Sequence, residues 1–385
     1  MWVTRLKLKN WRNFKQADIT LRDRVFLIGP NASGKSNLLD VFRFLRDIAK
    51  TSGGGLQKAV KDRHGITKLR CLQARADPEV AIQVELGPSM DDPIAEWTYA
   101  LGFKSEGKGQ QRLLLNYEQV WHRGEVVLNR PDKEDQADLA RLTQTHLEQV
   151  NANADFRPIA EFFAGVTYLH LVPQLLKYGD AIGGNRLEED PFGQGFLERI
   201  ARCPARTREA RLKRIQTALQ VAVPQFKELR FVKDEVNGHP HLEAFYEHWR
   251  PKAGWQREEQ FSDGTLRLLA LLWSLLDGDS LLLLEEPELS LNDALVERIP
   301  LLLDRLQRQA RHRRQILLST HSEALLRNPG IDVRGVLRLE PEQEGTRIVE
   351  PDEAEQRLVE TGLSPAEVLL PKTRPARLDQ LDLFK

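Results

Sequence analysis

Four short stretches of this 385-residue chain combine reactive residue types at spacings suited to chemistry. GPNASGKSN begins at Gly29, and Gly29 to Ser36 fit G-x-x-x-x-G-K-[ST]. Its glycines let the backbone turn N–H groups inward around a phosphate, and a helix starting there adds partial positive charge. In such a loop the lysine, here Lys35, reaches the outer phosphates of a nucleotide, and the hydroxyl, here Ser36, ligates Mg²⁺. SLLLLEEPELSLN runs from an apolar strand, Leu281 to Leu284, into Glu285 and Glu286. Two carboxylates at a strand end suit a metal-bound water and a general base. QILLSTHSEALL ends another apolar run in Thr320 and His321, where an imidazole can hydrogen-bond a terminal phosphate or orient water. QFSDGTLRLLALLWSLL places Ser262, Asp263 and Gly264 before a long apolar helix. Ser262 or Asp263 can cap that helix, whose N-terminus is a second anion site. Each stretch alone has an ordinary structural reading, and what raises them is their number and order.

The elements that must position these groups are partly written in local periodicity. Thr4, Leu6 and Leu8 alternate with Arg5, Lys7 and Lys9, the pattern of a half-buried strand, and Ile19 and Leu21 suggest a second one. Val25 to Ile28 read as a strand buried on both faces. Leu38, Val41, Phe42, Leu45 and Ile48 follow at helical spacing, so the phosphate loop lies between a strand and a helix. TSGGG then breaks the chain, and VAIQVEL, WTYALGF, RLLLNYEQVWH and EVVLN predict an antiparallel sheet inserted after that helix. ADLARLTQTHLEQV reads as a helix, and VTYLHLVPQLL begins as a strand. RIARCPARTREARLKRIQ reads as a basic helical stretch, either a solvated face or a contact for DNA phosphates. A hairpin is expected to turn at Asn237-Gly238, and His239 and His241 beside it have no third metal ligand nearby in sequence.

Composition excludes little. Lys plus Arg and Asp plus Glu both number 56, so any basic surface is a local patch. Two distant cysteines, Cys71 and Cys203, fit a reducing cytosol, and the first residues carry no apolar leader-like run. The expected location is cytoplasmic.

GPNASGKSN, FSDGTLRLLAL, LLLLEEPE and LLSTHSEAL resemble the Walker A, signature, Walker B and switch-histidine motifs of ABC-type ATPases. LKLKNWRNF narrows the resemblance to RecF-, SMC- and OLD-like ATPases and the compact bacterial ATPases grouped with them. The resemblance implies an α/β fold: a P-loop ABC-type ATPase head with a mixed central sheet, an antiparallel β insertion and a helical subdomain. It divides the chain into an N-terminal segment with the P-loop (1–50), the insertion (51–165), a helical subdomain with the C-terminal ATPase motifs (166–345), and an extension with the tail (346–385). It implies ATP and Mg²⁺ as cofactors, with nucleotide contacts from Gly29, Asn31, Gly34, Lys35, Ser36 and Asn37. Ser36 and Glu285 would hold Mg²⁺, Glu286 would polarise water, and His321 would contact the γ-phosphate. Ser262 and Gly264 would clamp the ATP of a second copy in a head-to-tail homodimer. Gln174 would be the Q-loop glutamine, and Asn292 stands where an acid is usual.

The family often has Asp where this chain has Glu285, one methylene longer, which bears on metal geometry and turnover. The FSDGT signature differs from the LSGGQ of transporters. The stretch after His321 is too short for the Toprim nuclease domain of OLD-like proteins, so any cutting would fall to a separate protein. The implied role is in DNA metabolism: repair, replication surveillance, or defence against phage and plasmids. The alternatives are a nucleotide switch controlling a separate effector such as a nuclease or toxin and, more weakly, a transporter subunit. A mixed-charge tether then leads to QLDLF, which is similar to peptides that bind the β sliding clamp. In that mode Leu383 and Phe384 fill an apolar pocket, Leu381 packs beside it, and Gln380 hydrogen-bonds nearby.

Overall fold

The alternating start of the chain forms β1 (Trp2–Trp11), paired antiparallel with β2 (Phe14–Thr20). Leu6 and Leu8 face the core, but the register slips between Val3 and Arg5 against the next strand. That irregularity turns Val3 inward and leaves Thr4 half-buried, so the inner face begins one residue earlier than simple alternation predicts. The computed structural model describes residues 1–74, 77–88, 95–107, 112–182, 190, 192–247, 254–309 and 313–374.

Strands β3 (Arg24–Ile28), β4 (Val80–Gly87), β5 (Trp97–Ser105), β6 (Leu113–His122) and β7 (Glu125–Arg130) follow. The expected antiparallel insertion is present, but it is not a separate sheet. Its order is β2-β1-β4-β5-β6-β7, so β1 lies between its hairpin partner and the first inserted strand. The sheet therefore runs across the boundary expected at residue 50.

The second sheet is built from β3, β8 (Thr167–Leu169), β12 (Leu282–Glu285), β13 (Ile316–Ser319), β14 (Val336–Glu342) and β15 (Gly345–Val349). Its order is β15-β14-β3-β13-β12-β8, parallel except for the β14–β15 hairpin. Leu283 and Leu317 face the helix Lys35–Ala49 and the antiparallel sheet, whereas Leu282, Leu284 and Leu318 face the helix Asp263–Leu276. Burial on both faces is why these strands read as unbroken apolar runs. The helix Lys35–Ala49 is caught between the two sheets, where burying a side chain such as Phe44 contributes about 1.5–3 kcal/mol. The third sheet, β11-β10-β9, comprises β9 (Phe226–Lys233), β10 (Pro240–Tyr246) and β11 (Trp255–Arg257).

Several local expectations change. The stretch read as a helix after Asp138 is a short 3₁₀ segment, Leu139–Thr143, followed by turns. Its backbone is claimed elsewhere: Glu118 accepts the N–H groups of His146 (2.7 Å) and Leu147 (3.0 Å). The basic stretch breaks at Cys203-Pro204 into the helices Phe196–Arg202 and Ala205–Ala222. Part of its charge is structural: Arg208 lies over Phe231, and Arg211 pairs with Asp277 at 2.7 Å. The hairpin between β9 and β10 turns at Gly238, which takes φ 71°. Two glutamates, Glu258 and Glu259, fold up beside His241. Both oxygens of Glu258 are engaged, one 2.7 Å from His241 Nδ1 and the other accepting the N–H of Leu242 at 2.8 Å, so the group acts as a brace for the hairpin.

The polar stretch after Leu339 continues the second sheet as the β14–β15 hairpin, crossing the boundary expected at residue 345. The helices Glu353–Glu360 and Pro365–Leu369 follow, and buried Glu355 ties them to β14 through Arg338. The tail residues Gln380, Leu381, Leu383 and Phe384 lie outside the described residues. Among the described residues no helix is long and apolar enough to cross a membrane.

Candidate nucleotide site

The parallel strands β3, β12 and β13 end side by side, and their C-terminal residues line one cleft of about 400 Å³. It is bounded by Asn31 and Gly34 of the loop after β3, Lys35, Ser36 and Asn37 at the start of the helix that follows, Glu285 and Glu286 at the end of β12, and Ser319 and His321 at the end of β13. Open parallel sheets place ligands at such strand ends.

The loop turns on glycines that no other residue replaces. Gly34 takes φ 99°, and a Cβ there would lie 2.1 Å from Asn13 Nδ2. Gly29 takes φ 155°, and a Cβ would lie 2.6 Å from the carbonyl oxygen of Leu339. Asn13, in the β1–β2 turn, donates to the carbonyl of Ser33 (2.8 Å) and to Thr346 Oγ1 (2.7 Å), and accepts from Asn37 Nδ2 (2.8 Å). Trp11 adds a hydrogen bond to the Asn37 carbonyl at 2.8 Å. The N-terminal hairpin therefore clasps the phosphate loop, and Asn37 lines the cleft while its amide faces Asn13.

Lys35 folds over the loop and donates to the carbonyls of Gly29 (3.0 Å) and Pro30 (3.1 Å). Burial pushes its ammonium below the usual lysine value, against the pull of Glu286 and Glu285. The Ser36 hydroxyl donates to one oxygen of Glu285, and the Tyr168 hydroxyl donates to the other. Arg43 stacks over the Tyr168 ring at 4.2 Å, and burial raises the phenol well above its ordinary value. His170 Nδ1 lies 3.4 Å from the Glu285 carbonyl oxygen.

Glu286 adopts φ 42°, a left-handed conformation uncommon for a glutamate, and its N–H donates to the Ser319 carbonyl at 3.0 Å. Its carboxylate lies 3.5 Å from His321 Nε2. Burial lowers the His321 pKa below the usual histidine value, the charge of Lys35 lowers it further, and Glu286 opposes both. The neutral imidazole is thus favoured near pH 7. Buried Glu288 accepts from Thr320 Oγ1 (2.5 Å) and from the His321 N–H (3.3 Å), and burial raises its carboxyl pKa.

The sequence-predicted residues divide into two groups. Asn31, Gly34, Lys35, Ser36, Asn37, Glu285, Glu286 and His321 come together, and Gly29 opens the loop they share. Ser262, Gly264 and Gln174 do not line this cleft. Ser262 caps the helix Asp263–Leu276, accepting the Thr265 N–H at 3.1 Å, and Gly264 packs against the Ser290 carbonyl. Gln174 follows β8 as expected, in the helix that Pro173 starts, and its amide donates to Asp263 at 2.7 Å beside Lys177. The groups that reach Glu285 from this segment are Tyr168 and His170 instead. Asn292 caps a short helix, accepting the Ala294 N–H at 2.9 Å. Asn13, Tyr168 and Glu288 were not singled out from sequence. The third acid of LLLLEEPE was the visible signal for Glu288.

Among known proteins, residues 24–327 match the family described as "AAA domain, putative AbiEii toxin, Type IV TA system". A 92-residue stretch is 33% identical to the DNA replication and repair protein RecF of Roseiflexus castenholzii (strain DSM 13941 / HLO8). That match spans 22% of this chain and 23% of the relative. The crystal structure of an SmcHead bound to the C-winged helix domain of ScpA aligns with a TM-score of 0.56 at 14% identity, covering 93% of this chain and 100% of that one. The Smc head domain with an extended coiled coil bound to the C-terminal domain of ScpA, derived from Pyrococcus furiosus, aligns at 0.52 and 13% identity, covering 94% and 99%. At these identities the structural likeness speaks to the fold, a P-loop ABC-type ATPase head. With the family match covering most of the chain, this protein belongs to that AAA-domain family.

Proposed function

We propose that this chain binds MgATP in the cleft at the ends of β3, β12 and β13 and hydrolyses it, with Glu286 as the general base for water. One observation carries the reading: Lys35, Ser36, Glu285, Glu286 and His321 share one cleft at adjacent strand ends. Lys35 supplies charge toward the outer phosphates, and the helix it begins adds partial positive charge at the same end. Ser36 and Glu285 fit Mg²⁺ in donor chemistry, because a hydroxyl and a carboxylate already in contact are hard oxygen ligands. The ion, when bound, neutralises phosphate charge. Glu286 holds the proton taken from water, and neutral His321 beside it can donate to the γ-phosphate.

Ser262 is exposed and Gly264 half-buried at the start of their helix, and with the signature resemblance this accessibility supports a head-to-tail homodimer in which the signature segment of each copy closes the site of the other. The RecF relative is named for DNA replication and repair, and by analogy we place the output of the cycle on DNA. The remaining assignments stay proposals: the division of the chain into segments, a separate effector, and QLDLF as a clamp ligand. The last is tested by fluorescence polarisation of a TRPARLDQLDLFK peptide with a bacterial β clamp. Saturable binding lost on changing Leu383 and Phe384 to Ala is expected, and no binding at high clamp concentration removes the idea.

The central test is light scattering of the full chain with ATP and Mg²⁺. The 44.1 kDa monomer is expected to double in mass in the Glu286→Gln variant, and Ser262→Arg is expected to prevent this. A chain that binds no ATP overturns the reading. One that binds ATP, stays monomeric and turns over only with a partner favours a switch for a separate effector.

A further inference from the structure

We infer that Glu288 is a positioning residue that holds His321 at its working distance from Glu286. The inference rests on the nucleotide-site reading above and adds a group that does not itself line the cleft.

Glu288 is 8% exposed, and its carboxylate reaches across from the turn after β12 to the loop after β13. One oxygen accepts both the Thr320 hydroxyl and the His321 N–H. The Thr320 hydroxyl in turn accepts the N–H of Ser322 at 2.9 Å. The residue before His321, His321 itself and the residue after it are thus all tied, directly or through one hydroxyl, to a single carboxylate. Ser322 then caps the helix Glu323–Leu326, accepting the Leu325 N–H at 3.2 Å, so the far side of the loop is anchored too.

The near side is equally constrained. Glu286 donates its N–H to Ser319, and Pro287 restricts the backbone between Glu286 and Glu288. The turn closes with the N–H groups of Leu289 and Leu291 bonding to Glu286 (3.2 Å) and Glu288 (3.0 Å). Two cross-links, Glu286 N–H to Ser319 and Glu288 carboxylate to Thr320 and His321, therefore set the spacing between the proposed base and the imidazole. The second oxygen of Glu288 is buried with no hydrogen-bond partner. What the loop uses is an acceptor at one oxygen, which an amide supplies as well as a carboxylate.

The test uses the full chain with Glu288→Ala, Glu288→Gln and Thr320→Val. Ala and Val are expected to lower kcat by up to about 100-fold, the cost of misplacing a reacting group by an ångström, while the ATP concentration for half-saturation stays unchanged. Gln is expected to restore most of the loss. A readout independent of turnover is the ¹³C-histidine NMR signal of His321, assigned among the nine histidines with His321→Gln. It should move in Ala and Val and return in Gln. If the wild type turns ATP over and Ala and Val leave both kcat and the signal unmoved, the brace is wrong. It is also wrong if Gln is as impaired as Ala. Should Ala fail to fold, Val and Gln carry the test. If the wild type hydrolyses no ATP while the signal still moves, the nucleotide-site reading fails and the brace stands.

Discussion

Glu286→Gln is expected to keep ATP bound while cutting turnover by about 10²–10⁴-fold, the usual contribution of a positioned general base. Glutamine is isosteric and preserves the left-handed turn at φ 42°, so the loss isolates basicity from shape. Glu285→Gln tests a different function. It removes negative charge where Ser36 and Tyr168 converge, so its loss is expected to weaken with added Mg²⁺ whereas that of Glu286→Gln is not. Single-turnover phosphate release across a Mg²⁺ titration separates the two. Wild-type release by Glu286→Gln would remove Glu286 as the base and assign the activation of water to another group.

Arg130→Met is expected to lower the unfolding free energy by about 3–5 kcal/mol, because it leaves buried carboxylates without their counter-charge. Arg130 is 1% exposed and bridges Glu118 at 3.0 Å and Asp135 at 2.8 Å, both of them fully buried. Glu118 also accepts the Tyr99 hydroxyl at 3.1 Å and fastens the segment around His146 to the antiparallel sheet. The Asp135 part of the pH dependence has a defined sign, and Glu118, whose carboxyl pKa is raised above its usual value by burial, works against it. Burial works to raise the Asp135 pKa, but hydrogen bonds from Arg130 and the Asp132 N–H outweigh it and hold the carboxyl far below the usual 3.8. A depressed folded-state pKa stabilises above the unfolded value, so this contribution is complete above about pH 4 and fades as the pH falls toward the folded value. Urea unfolding at neutral pH and in acid measures both effects. A loss under about 1 kcal/mol at neutral pH would show that the network is replaceable packing.

How much of this was legible in sequence followed the range of the interactions. The phosphate loop was readable because its requirement is local: Gly29 and Gly34 satisfy backbone geometry within one turn. Glu285, Glu286 and His321 were readable because each ends an apolar run buried on both faces. Tyr168 was not, since its partner Glu285 lies 117 residues away and nothing in TYLHL distinguishes it from a core aromatic. Asn13 was hidden similarly, with one of its partners, Thr346, 333 residues distant. Gln174 was chosen for its position after the strand TYLHLVP, and nothing in that local pattern shows its bond to Asp263, 89 residues away. The stretch after Asp138 has helix-like composition, yet Glu118 takes the backbone N–H groups that a helix would need. Strand pairing was the other blind spot. Alternation in β1 says that one face is buried and does not say that β4 lies alongside.

The position of β3 sets the order in which the molecule is made. It carries the phosphate loop and lies between β13 and β14, which leave the ribosome about 290 and 310 residues later. At ordinary rates of synthesis that interval is roughly 15–60 s, during which Val25 to Ile28 have neither strand neighbour. The antiparallel sheet can close long before, once β7 is out. Biosynthesis thus yields an N-terminal hairpin in place, still without its Thr346 contact, beside an unfinished nucleotide pocket, and a chain stalled before Ile316 carries every glycine of the loop without the sheet that aims it.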